Sequence, residues 1–129
     1  MKVTIIHKQS GIPEKQYKFY DKFIEFLQEE IPLREDLTIL FISERFGSMT
    51  TGSRDEKGRL RILTKNRINR DIFRTIAHEW VHENQMKVLK RKKGPDIGGQ
   101  NEDEANAKAG SLIKKFEKRH PNLEKLMYA

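Results

Sequence analysis

A chain of 129 residues with 36% hydrophobic side chains is long enough for one domain, residues 1–129, with a modest core, and too short for the two-subdomain plan of large hydrolases. Its 26 lysines and arginines against 19 aspartates and glutamates leave a net charge of +7, compatible with an acidic partner or acidic peptides. There is no cysteine, so disulfides and thiolate metal ligands are excluded and a cytoplasmic location is the expectation; no stretch reads as a signal peptide or a membrane span, and no membrane partner is expected.

In chain order, Lys2–His7 reads as a short strand. Pro13–Ile31 reads as an amphipathic helix with Tyr20, Phe23, Ile24, Leu27 and Ile31 on its buried side. Leu37–Ile42 is apolar on both faces, which suits a central strand. Phe46–Ser53 and Arg59–Thr64 flank the turn-forming Asp55-Glu56-Lys57-Gly58 and read as a hairpin. Its first arm, polar and glycine-containing from Ser48 to Ser53, has the composition of an exposed edge.

From Ile68 to Leu89 the apolar spacing is helical: Ile72, Phe73, Ile76, Ala77, Trp80, Val81 and Val88 share one broad arc. His78 and His82 fall on the other side with Asp71, Thr75 and Gln85. The five residues His78-Glu79-Trp80-Val81-His82 are an instance of HExxH. Residues four apart lie one turn above each other, so the two imidazoles can grip one zinc ion. Glu79, between the histidine face and the apolar arc, stands where a general base belongs. The plainer alternative is an exposed helix face that happens to carry two histidines and a glutamate.

A catalytic zinc site takes three protein ligands. His7 and His120 stand in no ligand spacing and read as strand-end and helix-end histidines. The better candidate lies in Asn101-Glu102-Asp103-Glu104-Ala105-Asn106, at the start of a helix whose stripe is Ala105, Ala109, Leu112, Ile113 and Phe116. Glu102 projects onto that stripe, where a carboxylate is costly unless a positive group meets it; Asp103 and Glu104 do not. Glu104, three residues after Asn101, is expected to complete a capping box. Glu102 as a first-turn acid favoured by the helix dipole is the alternative to Glu102 as ligand. Asn106, one turn on, would accept the outer N–H of a ligand histidine.

On HEWVH and the later Glu102-to-Ala109 string, the chain resembles the gluzincin branch of zincin-like metallopeptidases, above all minigluzincins and ImmA/IrrE-type peptidases, over Ile72 to Phe116. The resemblance implies zinc on His78, His82 and Glu102, with Glu79 as the general base that activates the zinc-bound water and Asn106 supporting a ligand. It implies an α+β zincin-like fold: a small mixed sheet of three or four strands with a backing helix, an HExxH helix and a glutamate helix. In that plan an edge strand holds an extended peptide, and Met49, Thr50, Thr51 and Gly52 are the expected strand. The Tyr or His by which larger gluzincins stabilise the transition state has no match; His120 and Tyr128 are candidates by position alone.

The expected function is therefore a zinc-dependent endopeptidase acting on a peptide or protein substrate. Two other readings stay open: a non-catalytic zinc-containing module that is structural or regulatory, and a basic nucleic-acid-binding domain. The second is disfavoured because Lys87, Lys90, Arg91, Lys92 and Lys93 complement the end of a helix and carry no interleaved aromatics.

Overall fold

The computed structural model describes residues 1–8, 10–44, 51–55, 57–92 and 99–129. It is an α+β domain. Its strands are β1 (Val3–Ile6), β2 (Leu37–Ile42), β3 (Gly52–Arg54) and β4 (Leu60–Leu63). Its α-helices are α1 (Tyr17–Glu30), α2 (Asn69–Glu83), α3 (Gln100–Arg119) and α4 (Glu124–Met127). The sheet runs β1-β2-β4-β3, with β2 parallel to both of its neighbours and β3 antiparallel to β4. The strand that is apolar on both faces is thus central, and the hairpin places β3 at an edge. Residues 45–50, the start of the expected first arm, lie outside the described residues.

The sheet packs one face on the helices. Along β2, Leu37, Ile39 and Phe41 are buried while Thr38, Leu40 and Ile42 are half-buried, the alternation that a pleated strand imposes. In α1 the buried row is Phe19, Tyr20, Phe23, Ile24, Phe26 and Leu27. Pro13 is extended and leads into a 3₁₀ turn at Glu14–Gln16, so the α-helix begins at Tyr17, later than the sequence pattern suggests.

Three helices meet at an aromatic wedge. The Phe23 and Phe73 rings stack at 4.2 Å, and Phe116 meets Phe23 edge-on at 5.1 Å. This geometry favours aromatic pairs beyond the area they bury and fixes how α1, α2 and α3 cross. Trp80 is fully buried and donates its indole N–H to the Ile31 carbonyl at 2.8 Å, so it is a core residue with a satisfied polar atom. The start of α2 is pinned as well: Asn69 accepts from the Tyr20 hydroxyl at 2.5 Å and donates to Gln16 Oε1 and the Leu126 carbonyl.

Beyond Glu83 the helix does not continue as an α-helix to Leu89. It widens into a π-turn at Asn84–Val88, closed by Leu89 N–H donating to the Asn84 carbonyl, and Lys90 ends it at φ 56°. No described helix is long and apolar enough to cross a membrane.

Candidate metal centre

Packing α2 against α3 brings two histidines and one carboxylate to a point. His78 Nε2 lies 3.0 Å from Glu102 Oε1, His82 Nε2 lies 2.9 Å from Glu102 Oε2, and the two Nε2 atoms are 3.1 Å apart. The three side chains, each between 18% and 24% exposed, form a group that could hold a metal ion. Two ligand atoms bound about 2.1 Å from one ion at a tetrahedral angle are about 3.4 Å apart, so the cluster fits such an ion after opening by a few tenths of an ångström. His7 and His120 take no part. His7 stacks on Tyr17 at 3.6 Å beyond the end of β1, and His120 closes α3 with its ring against Phe116.

The hydrogen bonds around the cluster determine what it presents. Gln85 donates its amide N–H groups to the Asn101 carbonyl at 3.0 Å and to Glu104 Oε1 at 3.1 Å. Its oxygen therefore accepts, and the partner 2.8 Å away is His82 Nδ1. His82 Nδ1 is thus the donor to Gln85, and in the neutral ring the Nε2 lone pair faces Glu102. A lone pair facing a carboxylate is repulsive unless a cation or a proton lies between them, so the arrangement has room for either. Asn106 hydrogen-bonds the His78 ring, as expected one turn beyond Glu102. Burial holds the His78 pKa below the ordinary imidazole value of 6.5, assisted by His82 and Arg74 and opposed by Glu102 and Asn106, which favours the neutral ring.

The capping box does not form. Gly99, at φ 86°, precedes the first turn of α3, which begins at Gln100, so Asn101 is already helical and donates to the Lys92 carbonyl. Glu104 serves the site instead. Its carboxylate accepts from Gln85 and from Arg91 at 2.9 Å, and these partners hold its pKa below the usual carboxylate value. Arg91, read from sequence as part of a solvated helix end, is thereby tied to α3. Lys87 pairs with Glu35, and Lys93 lies outside the described residues.

A cleft of about 510 Å³ opens beside the cluster, lined by Thr51, Gly52, Arg67, Asp71, Arg74, Thr75, His78, Glu79, Glu102 and Asn106. Thr51 and Gly52, two of the four residues expected to hold a peptide, are therefore on its wall; Met49 and Thr50 lie outside the described residues. The Thr51 carbonyl accepts from Leu63 N–H and Asp55 N–H donates to Arg59, so the antiparallel alternation points the N–H and C=O of Gly52 away from β4. Neither His120 nor Tyr128 lines the cleft. The two arginines there were not singled out from sequence. Arg74 could have been, because it precedes His78 by four residues and shares its helix face.

Gly52 is required for close approach. A Cβ at that position would stand 2.8 Å from Thr75 Cγ2, 3.1 Å from Glu79 Cγ and 3.2 Å from Glu79 Oε1. The missing side chain lets β3 pass directly over α2 beside Glu79. Arg54 of β3 pairs with the buried Glu83 of α2, a second link between edge strand and helix. Gly52→Ala is expected to destabilise the protein by about 1–3 kcal/mol, the usual range for overpacking, in urea unfolding. An unchanged or raised midpoint would mean that β3 does not approach α2 this closely.

Comparison of the chain with protein-family models, with curated proteins and with solved structures finds no match.

Proposed function

We propose that the protein is a zinc-dependent peptidase of the zincin-like, gluzincin type that cleaves internal peptide bonds. The observation that carries this reading is the convergence of His78, His82 and Glu102 from two helices on the edge of a cleft that also contains Glu79 and the outward-facing main chain of Gly52. Two imidazole nitrogens and a carboxylate, with no thiolate, form a donor set suited to zinc. Bound zinc would acidify a water molecule and polarise a carbonyl group.

The protein's own groups supply the rest. Glu79 adjoins His78 in sequence and lines the same cleft without being a member of the ligand cluster, which is the place of a group that moves a proton and does not hold the metal. It accepts the proton of the attacking water and returns it to the leaving amine. Gly52 offers one N–H and one C=O to an extended substrate laid along β3, which would hold the scissile bond over the cluster by main-chain pairing. His82 is kept in its ligating tautomer by Gln85, and His78 is oriented by Asn106.

Hydrolysis of a fluorogenic peptide library should vanish on treatment with a chelator and return with one equivalent of zinc. Zinc should dissociate as the pH falls and protons compete for the ligands, and the depressed His78 pKa moves that loss toward lower pH. Cleavage that survives complete removal of metal, in a preparation free of contaminating proteases, would overturn the proposal.

A further inference from the structure

We infer that the Arg74 end of the cleft binds a carboxylate of the substrate, an inference that rests on the cleft being a peptide site. Arg74 lies one helical turn before His78 on α2, is exposed, and lines the cleft with His78, Glu79 and Glu102. Most other arginines are occupied. Arg54, Arg59, Arg70, Arg91 and Arg119 each pair with a carboxylate.

The second arginine of the cleft, Arg67, is half-buried and occupied by neighbours: it donates to the Leu63 carbonyl at 2.6 Å, the Asp71 carbonyl at 2.8 Å and Thr75 Oγ1 at 2.6 Å. The carboxylate of Asp71, the acid on this part of the wall, acts on the charge of Arg67. Arg74 has no hydrogen-bond or ion-pair partner among the described residues. A guanidinium in a cleft, unpaired by the described residues around it, is a preformed fork for a carboxylate, which it can grip through two parallel hydrogen bonds.

Its distance from the cluster selects which carboxylate. One helical turn separates Arg74 from His78, a rise of about 5.4–6 Å, and consecutive residues of an extended peptide are about 3.5 Å apart. A carbonyl held at the histidines therefore places the adjoining one or two residues of the substrate within reach of the Arg74 side chain. The group bound there is either the C-terminal carboxylate of a short substrate or the side chain of an Asp or Glu next to the scissile bond. Both present the same planar anion to the same fork.

The test separates these sources from each other and from the peptidase reading. Zinc-loaded protein carrying Glu79→Gln, which prevents turnover, is titrated with three fluorescent alanine hexapeptides. One ends in a free carboxylate, one in an amide, and one in an amide with a single internal glutamate. One of the two acidic peptides should bind about tenfold tighter than the neutral one, as expected for a charge-assisted bidentate pair. Arg74→Gln should erase that preference, while Lys118→Gln, the same charge change at an exposed site on α3, should leave it intact. Preference for the free terminus identifies the C-terminal carboxylate, and preference for the internal glutamate identifies a side chain. Equal binding of all three peptides, no binding of any, or a preference that persists in Arg74→Gln overturns the inference. If Arg74-dependent binding is found but the protein with Glu79 intact cleaves nothing, the peptidase reading fails and the carboxylate site stands.

Discussion

Glu79→Gln is expected to keep its metal and to lower peptide hydrolysis by about 10²–10⁴-fold, the range for removing a general base. The amide has nearly the shape of the carboxylate and cannot accept the proton of the attacking water. The ligand cluster is His78, His82 and Glu102, so the substitution leaves the donor set untouched. Zinc content by atomic absorption, measured beside the rate, decides between two roles. A zinc-replete variant with parental activity removes Glu79 from the mechanism, whereas loss of zinc makes it a ligand.

The second large effect is expected at Glu102. Glu102→Gln removes the anionic member of the proposed ligand cluster and should weaken zinc binding by more than about a hundredfold, measured by competition with a chelator of known affinity. Gln85→Ala should weaken it by about tenfold, the lower end for partners that orient a ligand histidine, because His82 loses the acceptor that fixes its tautomer. Glu104→Gln should have a smaller effect, since Gln85 keeps its bond to the Asn101 carbonyl. The order Glu102, Gln85, Glu104 is the prediction. A larger loss at Glu104 or Asp103 than at Glu102 would show that the ligand has been misassigned. Melting temperatures should fall in the same order at a fixed excess of zinc, because a ligand that binds only the folded state stabilises it by an amount that grows with the logarithm of its affinity.

The elements around the centre were legible where burial dictates pattern. Leu37–Ile42 is a strand with the bounds its apolar run suggests, and the α2 arc from Ile72 to Val81 is buried. The placement of Glu102 also followed from pattern, since a single acid on an apolar stripe is a physical anomaly. The role of Gln85 did not. Helical spacing puts Gln85 on the histidine face, but it shows neither the π-turn at 84–88 nor the Asn101 carbonyl and Glu104 carboxylate that fix the Gln85 amide so that its oxygen meets His82. The capping motif at Asn101 and Glu104 misled because Gly99 starts the turn differently and because Gln85 and Arg91, distant in sequence, claim the carboxylate. Arg74 looked like any exposed cation on a polar face. Only the cleft distinguishes it from Lys118.

On the proposed zinc-binding reading, the link from His82 through Gln85 to Glu104 and Arg91 bears on when the metal would arrive. None of these bonds needs an ion, and the apolar stripe of α3 from Ala105 to Phe116 is buried against the core below them. On that reading newly synthesised chains would reach the native fold first and take up zinc afterwards, through an opening that the cleft already provides. Such a protein would accumulate as a folded, metal-free pool when zinc is scarce, and the proposed activity would then follow zinc supply without further synthesis. Zinc-finger chains, which remain unfolded until the ion binds, have no such reserve.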